Sequence, residues 1–149
     1  FDILYVNPFN SQIEVAIPKT ETSVKEIKKA TIQAAKNNGY EREVTIEIVD
    51  IEKNNREDIW LRYMRSIYEG MALKKEYHVT GYGYSYKNNK MKIIIKTNLK
   101  PSDKEAEETV NKIREEIVKF VESEKQNSNV KEDEYEIIIR DKSGNDLPY

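Results

Sequence analysis

The sequence predicts an α+β fold: two ββαβ-like repeats joined by a central helix, with helices packed on a mixed or antiparallel sheet. Three observations lead there. Residues Arg56 to Lys75 hold the only tryptophan and carry apolar residues at helical spacing. On either side the same order recurs, two strand-like runs, a helix opened by Ser-x-x-Glu and a further strand. The strand runs alternate apolar with polar residues, whereas the helices place theirs every three or four. A second parse takes residues 43–140 as a ferredoxin-like βαββαβ unit with an N-terminal ββα extension. The chain is read as one domain over 1–149, with pseudo-repeats 1–53 and 76–146 linked by helix 56–75.

Taken in order, Ile3–Val6 and Ile13–Ile17 are short strands, linked by the turn-rich Asn7-Pro8-Phe9-Asn10-Ser11 and closed by Pro18. Ser23 to Glu26 has the capping-box form, in which serine and glutamate satisfy each other's orphan amides. Val24, Ile27, Thr31 and Ala34 then make a helical stripe that Asn38-Gly39 terminates. Val44, Ile46 and Ile48 alternate with Thr45 and Glu47 as a strand with one wet face.

The central helix aligns Trp60, Tyr63, Met64, Ile67 and Met71 on one face, with Asn54 or Asn55 as its cap. Ile59, Leu61, Tyr68 and Leu73 widen the apolar stripe. A stripe this wide either packs between the halves or docks a partner. Tyr77–Tyr86 and Met91–Thr97 form a hairpin around Lys87-Asn88-Asn89-Lys90, because asparagine tolerates positive φ. Ser102 to Glu105 is a second capping box. The helix behind it carries Ala106, Val110, Ile113, Ile117, Phe120 and Val121 on one stripe. Ser123–Glu134 reads as a polar, acidic loop, Tyr135–Arg140 as the last strand, and Ser143–Asp146 as a closing turn.

Composition narrows the function. A chain of 149 residues can bury roughly 70% of its unfolded surface, so it folds without staples. The absence of cysteine removes disulfides, thiolate zinc sites and cysteine nucleophiles. Charged residues make up 35% of the chain, yet the net charge is only -2, which argues against a dedicated polyanion binder. No apolar run approaches the ~20 residues of a membrane span. The first residue is Phe1, which points to a processed or truncated chain with its signal or anchor upstream.

Chemical motifs are sparse. Thr80-Gly81-Tyr82-Gly83-Tyr84-Ser85-Tyr86-Lys87 partly resembles the RNP1 motif of RNA-recognition modules, whose strand aromatics stack bases. Thr80 stands where a basic residue belongs and Ser85 where an aliphatic one does. Tyr82, Tyr84 and Tyr86 share one strand face, a stripe that can equally pack on a helix while its hydroxyls reach water. His78 is the single histidine, placed on a strand, and has no triad partners. Glu47 and Asp50 could pair for acid–base chemistry, but 27 acids make such pairs common by chance. Glu105, Glu107, Glu108, Glu115 and Glu116 read as a solvated helix face, and Lys92 and Lys96 as the wet side of their strand. No metal site, cofactor motif or catalytic residue emerges.

The run Met91-Lys92-Ile93-Ile94-Ile95-Lys96-Thr97, the helix around Ile113-Arg114-Glu115-Glu116-Ile117, and Tyr135-Glu136-Ile137-Ile138-Ile139-Arg140 resemble an uncharacterised domain of Gram-positive spore-forming bacteria. The resemblance runs from about Gly39 onward. It implies the outer part of a single-pass membrane protein without catalytic residues, and it carries over no site residues. The expectation is therefore a non-catalytic extracytoplasmic sensory or protein-interaction domain. Its partner would be another envelope or membrane protein, and it would touch the membrane only through a missing N-terminal anchor. Binding residues are sought among Trp60, Tyr63, Tyr68, Tyr82, Tyr84 and Tyr86, since aromatics are enriched at binding hot spots. The alternative is a cytosolic RNA or single-stranded DNA module using Tyr82, Tyr84 and Tyr86. An acid–base hydrolase is a third possibility, and it requires a pocket holding two carboxylates.

Overall fold

A computed structural model describes residues 1–8 and 12–149. Where the sequence suggests one domain, the chain clusters into two compact units, residues 1–54 and 55–149. Each has its own apolar core. The fold class is α+β, and the described residues form three helices and two three-stranded mixed sheets.

The first unit contains β1 (Tyr5–Pro8), β2 (Gln12–Pro18), α1 (Val24–Asn37) and β3 (Glu43–Val49). β1 pairs antiparallel with β2, and β2 pairs parallel with β3 across the α1 crossover. Val15, Ile17, Ile27 and Val44 form its core. β1 lies two residues later than expected, so Asn7 and Pro8 belong to the strand. The rest of the expected turn, residues 9–11, lies outside the described residues.

The α1 stripe ends on Ala35, with Ala34 exposed; the spacing Ile27, Thr31, Ala35 keeps one face where Ala34 would drift off it. Ser23 caps by position without a side-chain hydrogen bond. Instead Glu21 accepts the Ser23 amide at 2.8 Å, which preempts the capping box. The C-terminus is as expected: Asn38 is the cap and Gly39 takes φ 81°, a left-handed conformation glycine adopts without strain.

α2 (Ile51–Ala72) begins five residues before the expected start and ends three before the expected stop. Asp50 is the reason for the early start. Its Oδ1 accepts the Lys53 amide at 3.0 Å, so it, and neither Asn54 nor Asn55, caps the helix. That hydrogen bond, followed by the nearby Lys19 ammonium, holds the Asp50 carboxyl below its usual range.

The second unit adds β4 (Val79–Lys87), β5 (Lys90–Thr97), α3 (Ala106–Lys125) and β6 (Glu134–Arg140). It repeats the order and pairing sense of the first: β4 antiparallel to β5, β5 parallel to β6. The ferredoxin-like parse needs β3 in the sheet of β4, β5 and β6. β3 is hydrogen-bonded to β2 instead, so that topology is not formed.

Met91, Ile93 and Ile95 point to one face of β5 and are fully buried. α2 supplies Trp60, Met64, Ile67 and Met71 to that core, and α3 supplies Val110, Ile113, Ile117 and Val121. Thus the whole buried face of α2 belongs to the second unit's core. α3 starts at Ala106 with Glu105 at the cap position and no side-chain cap, so Ser102 stands three residues short of the place a capping box needs; Asp103 accepts the Lys100 amide at 2.9 Å. It runs on through Ser123–Lys125, which the sequence places in a loop.

His78 lies in a left-handed turn (φ 55°) after a short 3-10 turn at Lys75–Tyr77, and is not on a strand. The β4–β5 hairpin closes through Asn88 (φ 51°) and Asn89 (φ 59°), the geometry of a two-residue type I′ turn. A β-branched side chain is strained at such φ values. Asn88→Val is expected to lower the unfolding free energy by roughly 1 kcal/mol, measured by urea denaturation, whereas Asn89→Gly should leave it unchanged or slightly higher.

Candidate interaction surface

The turn fixes which way each β4 backbone group points. In a two-residue hairpin the flanking residues, here Lys87 and Lys90, exchange both backbone hydrogen bonds, and bonded pairs then alternate along the ladder. Ser85, Gly83 and Gly81 therefore direct their N–H and C=O groups at β5. Tyr86, Tyr84 and Tyr82 direct theirs away from it. Among the described residues β4 has a strand on one side only. The outer edge thus presents the peptide groups of Tyr82 and Tyr84.

The side chains of these residues divide the sheet's two faces. Tyr82, Tyr84 and Tyr86 stand opposite Ile95, Ile93 and Met91 on the face that the helices cover. Tyr86 is buried, while Tyr82 and Tyr84, toward the other end of the edge strand, remain 37% and 41% exposed. Tyr68 from α2 lies against Tyr82, ring centroids 5.1 Å apart and tilted by 45°. Gly81 and Gly83 lie on the opposite face, where a Cβ would meet the side chains of Lys96 and Ile94 at 3.6 and 3.9 Å, ordinary contact distances. No packing within the chain requires glycine at either position, although each costs a strand about 0.5–1 kcal/mol relative to alanine.

The six candidate aromatics separate by burial into three pairs. Tyr82 and Tyr84 are exposed, and the half-buried Tyr68 lies against Tyr82. Trp60 is fully buried and Tyr86 nearly so, which leaves neither with surface for a partner. Tyr63 is half-buried. It stacks edge-on against Phe120 and Trp60, and its hydroxyl donates to the Glu124 carbonyl at 3.2 Å. Next to it lies an open groove of about 700 Å³ whose polar lining includes Arg62, Ser66, Ser123 and Asn127.

Trp60 and Tyr86 are instead held by Asp133, a residue the sequence hides inside an apparent acidic loop. The Asp133 side chain is buried. Its Oδ2 accepts the Trp60 indole N–H at 3.0 Å and the Tyr86 hydroxyl at 2.6 Å, and Arg56 stands 3.6 Å from Oδ1. A buried carboxylate persists only with such partners. The signal that could have located it is the apolar Val130 three residues earlier, itself fully buried in the same core.

Carboxylates considered for acid–base chemistry are individually engaged. Glu47 accepts the Tyr5 hydroxyl at 2.5 Å, which pushes the Tyr5 phenol up to about 12, while Asp50 caps α2. Glu105, Glu107, Glu108, Glu115 and Glu116 are all exposed, as expected. His78 Nδ1 sits 3.0 Å from Asn98 Oδ1. Among the described residues no group of three or more His, Cys, Asp or Glu side chains is arranged to hold a metal ion, and no helix is long and apolar enough to cross a membrane. No family model matches the chain, and no curated protein or solved structure is significantly similar to it.

Burial, and then the hydrogen bond to Asp133, raise the Tyr86 phenol above its usual range. Its neutral form is favoured in the folded state, so its contribution to stability is complete below pH 10. It declines as pH rises further, because the unfolded chain releases that proton first. Asp133→Ala, which strands the buried indole N–H of Trp60 and the Tyr86 hydroxyl, is expected to cost about 3 kcal/mol. In Asp133→Asn, ultraviolet titration should show Tyr86 ionising closer to the ordinary tyrosine range.

Proposed function

We propose that this chain is a non-catalytic protein-interaction or sensory domain acting outside the cytoplasmic membrane, with the β4 edge as its contact surface. The observation that supports the surface is the coincidence on one strand of exposed Tyr82 and Tyr84 with an unpaired backbone edge. An extended partner strand can take its hydrogen bonds from the Tyr82 and Tyr84 peptides and bury apolar side chains against Tyr68, Tyr82 and Tyr84. Aromatic rings in such a position supply much of the energy of a small interface.

The extracytoplasmic location rests on the resemblance of residues 91–97, 113–117 and 135–140 to the outer domain of single-pass membrane proteins. A nucleic-acid module would stack bases on the open face of its sheet. Here the tyrosines share the face that α2 and α3 cover, and the open face carries Gly81, Gly83, Lys92, Ile94 and Lys96.

Cross-linking in intact cells tests the surface. Tyr82→Ala/Tyr84→Ala should lower recovery of cross-linked envelope partners at least tenfold while the Trp60 fluorescence spectrum stays unchanged. Protease added to intact protoplasts should digest the native protein while a cytosolic marker survives. Protection until lysis, or oligonucleotide binding that weakens steeply with salt, would contradict the proposal.

A further inference from the structure

Among the described residues the four sheet edges are not equally defended against pairing with another chain. β1 is four residues long and ends in Pro8. β3 carries the exposed acids Glu43 and Glu47. β6 carries exposed Glu134 and Glu136, and Asp146 bridges its Arg140. Short length, proline and charge are the usual protections of an edge. β4 has none of them along its middle: it runs for nine residues with one charge, Lys87, at its very end.

From this we infer that β4 pairs antiparallel with the β4 of a second copy of this chain, about a two-fold axis through Gly83. The inference deepens the proposed function and rests on the β4 edge being the contact surface.

Several properties of β4 favour a self-pair over other occupants. Gly83 is the midpoint of Val79–Lys87, so a two-fold there overlaps the two strands along their full length. It sets Tyr82 opposite the partner's Tyr84, and these are the residues whose peptide groups point outward. The two can therefore exchange both hydrogen bonds of a bonded pair. Their rings form aromatic cross-strand pairs on the helix side, each worth a few tenths to about 1 kcal/mol. Tyr68 extends each pair into a cluster of three rings.

On the other face Gly83 meets the partner's Gly83 as a non-bonded pair, where Cα atoms approach to about 4.5 Å. The close approach of another backbone is a recognised use of strand glycine. It gives Gly83 the reason that packing within one chain does not. The charge pattern also fits. Each Lys87 falls opposite the partner's Val79, so no like charges face each other. The ladder is regular from Gly81 to Lys87, and the bulge between Val79 and Gly81 confines the irregularity to the strand ends.

The chain has no cysteine, so one introduced thiol reports the register directly. Gly83→Cys places two thiols across the axis, within bridging distance, and its Cβ finds only ordinary contacts in the fold. Gly81→Cys is the control, because its thiol faces the partner's Ser85 and lies about 13 Å along the strand from the other thiol. Sedimentation of the full chain from micromolar to millimolar concentration should reveal a species of twice 17.5 kDa. Mild oxidation should cross-link Gly83→Cys and leave Gly81→Cys monomeric. Tyr82→Lys/Tyr84→Lys, which opposes like charges, should raise the dissociation constant more than tenfold with Trp60 fluorescence unchanged.

A folded protein that stays monomeric throughout that range overturns the inference, as does a dimer that cross-links through Gly81→Cys or ignores the lysine pair. If such a monomer still captures an envelope partner in a Tyr82- and Tyr84-dependent way, the occupant is a foreign strand and the interaction reading stands. If Tyr82→Ala/Tyr84→Ala leaves that capture unchanged too, both fail.

Discussion

The second unit depends on one buried carboxylate. Asp133 sits just before β6 and takes hydrogen bonds from Trp60 on α2 and Tyr86 on β4, with Arg56 of α2 beside it. A helix, an edge strand and the turn into the last strand are thereby fastened at one point. In a low-dielectric interior each of these contacts is directional and costly to leave half made. The anchor consequently fixes the position of α2 on the sheet, and with it the contact between Tyr68 and Tyr82. It also fixes one end of the tyrosine stripe. Tyr86 is used structurally, and the stripe becomes free toward Tyr84 and Tyr82.

That division explains what the sequence could and could not convey. The fold class, the repeated ββαβ order and the Asn88-Asn89 turn follow from periodicity and turn chemistry, both local properties. The core stripes of α2 and α3 are legible for the same reason. Helix starts are less so. Asp50 outcompeted Asn54 and Asn55, Glu21 preempted the first capping box, and the start of α3 at Ala106 leaves the second unused. Several polar residues near a helix start can all cap, and the backbone around them decides which one does.

The candidate surface was half legible. Six aromatics could be named, but their sorting into anchors and exposed rings depends on Asp133, which lies 73 residues from Trp60. No window along the chain contains that pairing. The unprotected state of β4 is likewise a property of sheet order, since a strand reads the same in sequence at an edge or at the centre. The ferredoxin-like parse failed on this point: β3 has the composition to join either sheet and its partner is β2.

Amide hydrogen exchange resolved by residue along β4 reads out whether the outward peptides of Tyr82 and Tyr84 are the working edge. In dilute protein exchange should be fast at Tyr82 and Tyr84 and slow at Gly83 and Ser85, whose amides are directed at β5. Raising the protein concentration, or adding a captured partner, should then protect Tyr82 and Tyr84. Equal protection of all four amides at every dilution would mean the edge is already covered. Tyr82 and Tyr84 amides that stay fast under every condition would mean that no strand adds there, and either result contradicts the account.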